Sequence, residues 1–151
     1  MSLMELPAGE VASLTVGDAL DESSVPRNGA KFTGLVVDCF SGADFPPAFR
    51  SCLTWHNIKA RLVHGGCLML NLGGSTPLPL PAAYFEVMAG VAEVFGPERV
   101  WVHCGTGNLV VVAAERAIDW AAVAERLPSE LTHLMNTPWQ SYPHFLLQQQ
   151  H

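Results

Sequence analysis

The sequence predicts an α/β domain: parallel strands with helices on the faces of the sheet and an antiparallel hairpin toward the C-terminus. Three observations carry that expectation. Leu35-Val36-Val37 and Cys67-Leu68-Met69-Leu70-Asn71-Leu72 are continuous apolar runs bordered by glycine, the pattern of strands buried on both faces. The stretch between them has the length and periodicity of a helix, and two parallel strands need such a crossover. Residues 99–103 and 108–114 are apolar runs joined by Cys104-Gly105-Thr106-Gly107, too short for a crossover, so they must pair antiparallel.

With 151 residues, 49% of them hydrophobic, the chain can build one domain with its own core and is too short for two ordinary ones. We divide it into an N-terminal tail at 1–11, a domain at 12–127 and an irregular tail at 128–151. In chain order, Ala12-Ser13-Leu14-Thr15-Val16 reads as a short strand. Gly17-Asp18-Ala19-Leu20-Asp21-Glu22 follows as a turn entering a brief helix. Asp18 is placed to cap it, accepting from the first free amides, and Asp21 and Glu22 suit the positive end of its dipole. Pro26 and Asn28-Gly29 mark a turn-rich link to the central strand.

Asp38 closes that strand. In open α/β sheets ligands bind beyond the carboxyl ends of the strands, so a carboxylate there faces the usual place of chemistry. It also suits a purely structural role, accepting from the backbone of the loop that follows. A helix then runs from Pro46-Pro47 to about Leu62, since proline is tolerated in a first turn and Gly65-Gly66 ends the segment. Phe49, Cys52, Leu53 and Ala60 share one side of it and Trp55, Ile58 and Leu62 another, which predicts cover on more than one face. After the strand at 67–72, residues 73–81 form a Gly/Ser/Thr/Pro-rich loop on the ligand side of the sheet. Residues 82–95 are helical, with Tyr84, Met88, Val91 and Phe95 as a core stripe and Gly96-Pro97 as the stop. Residues 118–127 form a further amphipathic helix, and the closing Gln148-Gln149-Gln150-His151 is expected to be disordered.

Composition excludes some functions. A net charge of -6 with eight Lys plus Arg leaves no basic patch to track phosphates, so no nucleic-acid partner is expected. No apolar run approaches the roughly 18 residues of a membrane span. The N-terminus lacks the layout of a signal peptide, so the expectation is a soluble, cytoplasmic protein. Cys39, Cys52, Cys67 and Cys104 are scattered without Cys-x-x-Cys spacing, which predicts reduced, structural thiols and no metal centre. His64, His103 and His133 are scattered likewise. The Gly-x-Gly at 105–107 precedes a strand, so it lacks the helix N-terminus that cradles a phosphate.

Taken in order, Gly17-Asp18-Ala19, Leu35-Val36-Val37-Asp38, Phe45-Pro46-Pro47, the helix to Leu62, Gly65-Gly66 and Leu70-Asn71-Leu72 resemble the second half of a class I S-adenosylmethionine-dependent transferase, a partial Rossmann-like sheet. The closer likeness is to the spermidine-synthase-like (polyamine aminopropyltransferase-like) branch, and it spans about 13–114. The resemblance implies that Asp18, flanked by Gly17 and Ala19, bonds the adenine amino group of S-adenosylmethionine or its decarboxylated form. It implies that Asp38 is catalytic, holding and deprotonating an attacking amine. Where the family has a second Asp three residues on, this chain has Ser41. The family's Gly-rich loop, which holds the methionine and ribose portions, has no counterpart upstream of Asp18, where residues 1–11 contain a single Gly. The expectation is therefore a partial transferase-like domain, weak or inactive alone, acting by methyl or aminopropyl transfer on an unidentified small-molecule acceptor. The alternative is a non-catalytic α/β module that binds a partner or itself through an exposed sheet edge, as a homo-oligomer.

Overall fold

The structure is a computed structural model, which describes residues 16–21, 29–40, 45–73, 80–105, 108–135 and 138–149, without the side chains of 133 and 134. The chain forms two compact units, Met1–Ala30 and Lys31–His151. In the first, the described residues form a turn around Asp18. The Leu20 N–H donates to Asp18 Oδ1 at 2.8 Å and the Asp21 N–H to the Asp18 carbonyl at 3.1 Å. This is the side-chain turn that Asp forms readily. The strand expected at 12–16 falls, apart from the exposed Val16, outside the described residues.

The second unit is a mixed, open, five-stranded sheet with four helices among the described residues. The strands are β1 (Phe32–Val37), β2 (Leu62–Asn71), β3 (Val100–Cys104), β4 (Leu109–Ala114) and β5 (Gln140–Ser141), in the spatial order β1-β2-β4-β3-β5. The helices are α1 (Cys52–Ala60), α2 (Ala82–Phe95), α3 (Trp120–Arg126) and α4 (Tyr142–Gln148). β1 and β2 pair parallel, as the crossover predicts. The β3-β4 hairpin folds so that β4 lies between β2 and β3, antiparallel to both, and β5 adds antiparallel to β3. The sheet is therefore α/β but mostly antiparallel by pairing, where the sequence led us to expect parallel strands. The β3-β4 pair is the hairpin that its short loop predicts; the departures are that β4, not β3, lies beside β2 and that β5 adds to β3.

The two faces of the sheet differ. On one, Leu68 and Leu70 of β2, Val111 of β4 and Val100 and Val102 of β3 are buried under the helix layer. The stripe Tyr84, Met88, Val91 and Phe95 of α2 is buried there, as its spacing predicts. On the other face, one cross-strand row runs Val36, Met69, Val112, Trp101, Ser141. Its β3 end is covered by rings. Trp101 meets Trp120 edge-on at 5.7 Å, Trp120 stacks on Trp139 at 4.4 Å, and Trp139 packs on His103 at 5.1 Å. Its β1 end is bare, with Val36 72% and Met69 42% exposed.

Several details depart from the sequence reading. The crossover is a 3-10 turn, Pro47–Arg50, followed by α1, and the chain is extended at Ser51 between them. The helix is covered on one side only: Trp55 and Ile58 are buried, while Leu53 is 66% exposed. β2 starts at Leu62, five residues early, and its register against β1 slips between Phe32 and Gly34. The tail at 128–151 is not irregular throughout, since it supplies a 3-10 segment, Ser129–Met135, then β5 and α4, whose Tyr142 and Phe145 are buried. Gln148 closes α4, and the last two residues lie outside the description.

α1 and α2 cross at Gly90. A Cβ there would lie 2.8 Å from Cδ1 of Trp55, a ring fully buried and pinned by its Nε1, which donates to the Phe49 carbonyl at 2.9 Å. Helix propensity favours Ala over Gly by about 1 kcal/mol. Overpacking a rigid site costs about 1–3 kcal/mol and rises with side-chain size. Gly90→Val is therefore expected to cost about 1–3 kcal/mol, read as a lower urea midpoint, and Gly90→Ala, which places the same Cβ, to cost less by about its gain in helix propensity. A Gly90→Val chain as stable as the parent would show that the ring yields.

Candidate functional site

The parallel register sets Val37 beside Leu70, so Asp38, just past β1, comes beside Asn71, the last residue of β2, at the carboxyl ends of the two strands. The Asn71 Nδ2 donates to Asp38 Oδ1 at 3.0 Å. Its Oδ1 accepts from the Gly73 N–H at 3.0 Å, which fixes the amide's orientation. Gly73 in turn ties the loop to the hairpin, its carbonyl accepting from the Leu109 N–H at 2.9 Å. Asp38 is exposed, and the bond to Asn71 engages one of its two oxygens. The second oxygen faces no described donor and is open to an incoming cationic or N–H group.

An aromatic wall adjoins this corner. Phe40 lies 5.5 Å from Phe45, and Phe45 meets Tyr84 edge-on at 5.5 Å. Gly73 has φ +88°, and a Cβ on it would approach Phe40 to 3.0 Å, so the backbone passes close under the ring. Phe45 and Tyr84 are buried, and Phe40, 43% exposed, is the ring of the three that reaches solvent. A carboxylate near one exposed ring can take an organic cation or amine, whose charge meets the carboxylate and whose methylenes meet the ring. Residues 41–44 and 74–79, which include Ser41 and Asp44, lie outside the description.

Of the residues read from the sequence, Asp38 is thus brought against Asn71. Gly17, Asp18 and Ala19 belong to the other compact unit, where all three are exposed and Asp18 holds its own turn through Oδ1. Sequence reasoning gave Asn71 no role. Its signal was a polar side chain ending a buried strand one register step from the Asp of its parallel neighbour. The free cysteines are half-buried or exposed, not packed as small core hydrophobes. Burial, and then the Glu93 side chain, push the Cys52 thiol up, which holds it as the unreactive thiol at neutral pH. Among the described residues no group of His, Cys, Asp and Glu could hold a metal ion, and no helix is long and apolar enough to cross a membrane.

A second polar cluster lies at the opposite end of β2. Glu115 Oε2 accepts from the Gly65 N–H at 2.9 Å and lies 3.0 Å from His64 Nδ1. It borders a shallow cleft of about 430 Å³ lined also by Lys31, His56 and Lys59. Lys59 Nζ donates to the Val94 carbonyl at 2.8 Å near the end of α2 and lies over the Phe95 ring at 5.1 Å. That is how a cation neutralises the carbonyl end of a helix, so this cluster reads as structural.

Comparison with protein-family models, with curated proteins and with solved structures returns no match.

The Gly65 N–H, then His64 and Lys59, hold the Glu115 carboxyl below its ordinary value. A carboxyl depressed on folding contributes stability above its unfolded pKa and loses it as pH falls through the folded one. The expected outcome is that acid melting curves of Glu115→Gln fall less steeply than the parent's below the ordinary carboxylate range, with the variant weaker at neutral pH. Parallel curves would remove Glu115 from the acid response.

Proposed function

We propose that the chain is a spermidine-synthase-like, S-adenosylmethionine-dependent transferase-type domain that carries the adenine and acceptor sides of the site and has weak or no activity alone. The observation that supports this most is the Asp38–Asn71 pair at the carboxyl end of the parallel strands. The resemblance reads Asp38 as the residue that takes an attacking amine, and the Asn71 amide fixes the carboxylate so that its second oxygen receives the amine's N–H. As general base, Asp38 would take the proton that the nitrogen loses when it attacks the sulfonium-bound methyl or aminopropyl carbon. S-adenosylmethionine or its decarboxylated form would supply that carbon. Asp18 has one carboxylate oxygen beyond its own turn for an adenine amino group, between Gly17 and Ala19, whose small size admits a ring. On the resemblance, Asp18 answers to the adenine end of the cofactor reaction and Asp38 to the amine end.

On the resemblance, the Gly-rich loop that holds the methionine and ribose groups has no counterpart in residues 1–11, and each unmet polar group costs about 1–3 kcal/mol. We therefore expect S-adenosylmethionine to bind weakly, and sub-micromolar affinity in a calorimetric titration would refute this. In an NMR titration the amides of Gly17, Asp18 and Ala19 should shift with adenosine-containing ligands, and those beside Asp38 with a diamine. No shift at either place with millimolar ligand would sink the reading. Where turnover is measurable, Asp38→Asn should reduce it by about 10² to 10⁴ while leaving the melting temperature nearly unchanged. Near-normal turnover with a lower melting temperature would make Asp38 a structural cap.

A second reading is favoured by one observation: β1, at the end of the sheet order, has no strand on its outer side among the described residues. A bare strand edge offers its amides and carbonyls to another chain. On this reading the domain is a non-catalytic module that binds a partner or itself along β1.

A further inference from the structure

We propose that two copies of the chain pair antiparallel through β1, with Leu35 facing Leu35 across a twofold axis, so that the sheet runs continuously through the dimer. The proposal rests on the second reading above and adds the occupant and the register. In antiparallel pairing, residues directly opposite share a face of the sheet. This register sets Val36 of one copy opposite Gly34 of the other, and Val37 opposite Thr33. Val36 is 72% exposed. A Cβ at Gly34 would find Cys67 Sγ at 3.5 Å and the Cys67 carbonyl at 3.8 Å, ordinary contacts, with no other atom within 4 Å. The Val36 side chain of the second copy therefore fills a gap that Gly34 leaves. It extends the bare row Met69–Val36 toward Cys67 of the second copy, since Gly34 pairs with Cys67 and Val36 with Met69 within each sheet.

Charge selects a second copy over a generic strand. Phe32-Thr33-Gly34-Leu35-Val36-Val37 contains no charged residue, while Lys31 precedes it and Asp38 follows it. Both end residues are exposed. Antiparallel pairing about Leu35 sets Asp38 of one copy opposite Phe32 of the other, with Lys31 one residue on and projecting from the other face, so each end of the pair carries one charge of each sign. A parallel pairing would set like charges together. The edge also lacks the proline, inward charge or covering loop that blunts exposed edges, among the described residues. The same strand thus supplies both the knob and the gap, and both signs of charge, as an isologous contact requires.

The test uses the full chain. Sedimentation across a concentration series should show a monomer–dimer equilibrium, and amide exchange at residues 34–36 should slow as the dimer fills. Under mild oxidation Leu35→Cys should give a covalent dimer well above the background set by the native thiols of the parent, whereas Val36→Cys should not. Val36→Lys should keep the parent's urea midpoint at concentrations where the parent is monomeric, and should weaken dimerisation by about tenfold or more. A dimer cross-linked by Val36→Cys and not by Leu35→Cys would overturn the register while leaving self-binding intact. A monomer at every concentration would overturn both, and if residues 34–36 were then protected, the chain's own N-terminal residues would be the occupant.

Discussion

The fold turns on Trp55. Two strands can lie parallel only if the chain between them returns over one face of the sheet, and here that return is a short 3-10 turn and the nine-residue α1. Neither piece is long enough to hold itself together in water. Trp55 supplies what they lack. Its ring is fully buried against Gly90 of α2, it packs on Phe49 at 5.4 Å, and its Nε1 donates back to the Phe49 carbonyl. One side chain thus locks the 3-10 turn to α1 and α1 to α2. The lock places α1 over β2 and lets β1 lie beside it, and from that pairing follows the meeting of Asp38 with Asn71.

The sheet is finished unevenly. On the helix-covered face a continuous apolar layer spans β2, β4 and β3, whereas on the other face the Trp120 and Trp139 rings protect the β3 side alone. That ring cover has a polar cost, because the Nε1 atoms of Trp101 and Trp120 and the Nε2 of His103 are buried without a partner among the described residues. Stacking and burial of three indoles and an imidazole must outweigh those missing bonds for the cluster to persist, and aromatic pairs contribute about 0.5–1.5 kcal/mol each beyond their buried area. Toward β1 the described residues add no comparable apolar cover on this face, where Val36 and Met69 are exposed, and the candidate site stands at that end.

Much of this was legible in the sequence, where local rules apply. The bounds of α2 follow from Pro81 before it and Gly96-Pro97 after it, and the hairpin from the shortness of its loop. The strand-end position of Asp38 follows from the end of an apolar run. What was not legible is set by distant partners. Nothing in residues 52–60 says that Leu53 faces solvent while Trp55 is buried, because that depends on a glycine 35 positions away from Trp55, at Gly90. The tail at 128–151 looked irregular because its two-residue strand has no periodicity of its own. It is ordered by pairing with β3 and by the stacking of Trp139 on Trp120. The role of Asn71 was hidden for the same reason, as an asparagine ending a strand gains meaning only once its neighbour in the sheet is known.

Asp38 stands at the junction of the two functional readings, at the end of the β1 edge that links them. A general base works best when water is kept from it and the amine is held in place. At an exposed strand end Asp38 meets neither condition from the described residues alone, so whatever covers the β1 edge also decides how wet the carboxylate is. A covering strand without charge would wall it off and leave its second oxygen for an amine. The paired edge proposed above would act in that way, because Phe32 of the second copy stands opposite Asp38 while Lys31, one residue away, projects from the other face. A carboxylate has about four acceptor positions and Asn71 fills one, so on these proposals the dimer shields the amine site and does not consume it.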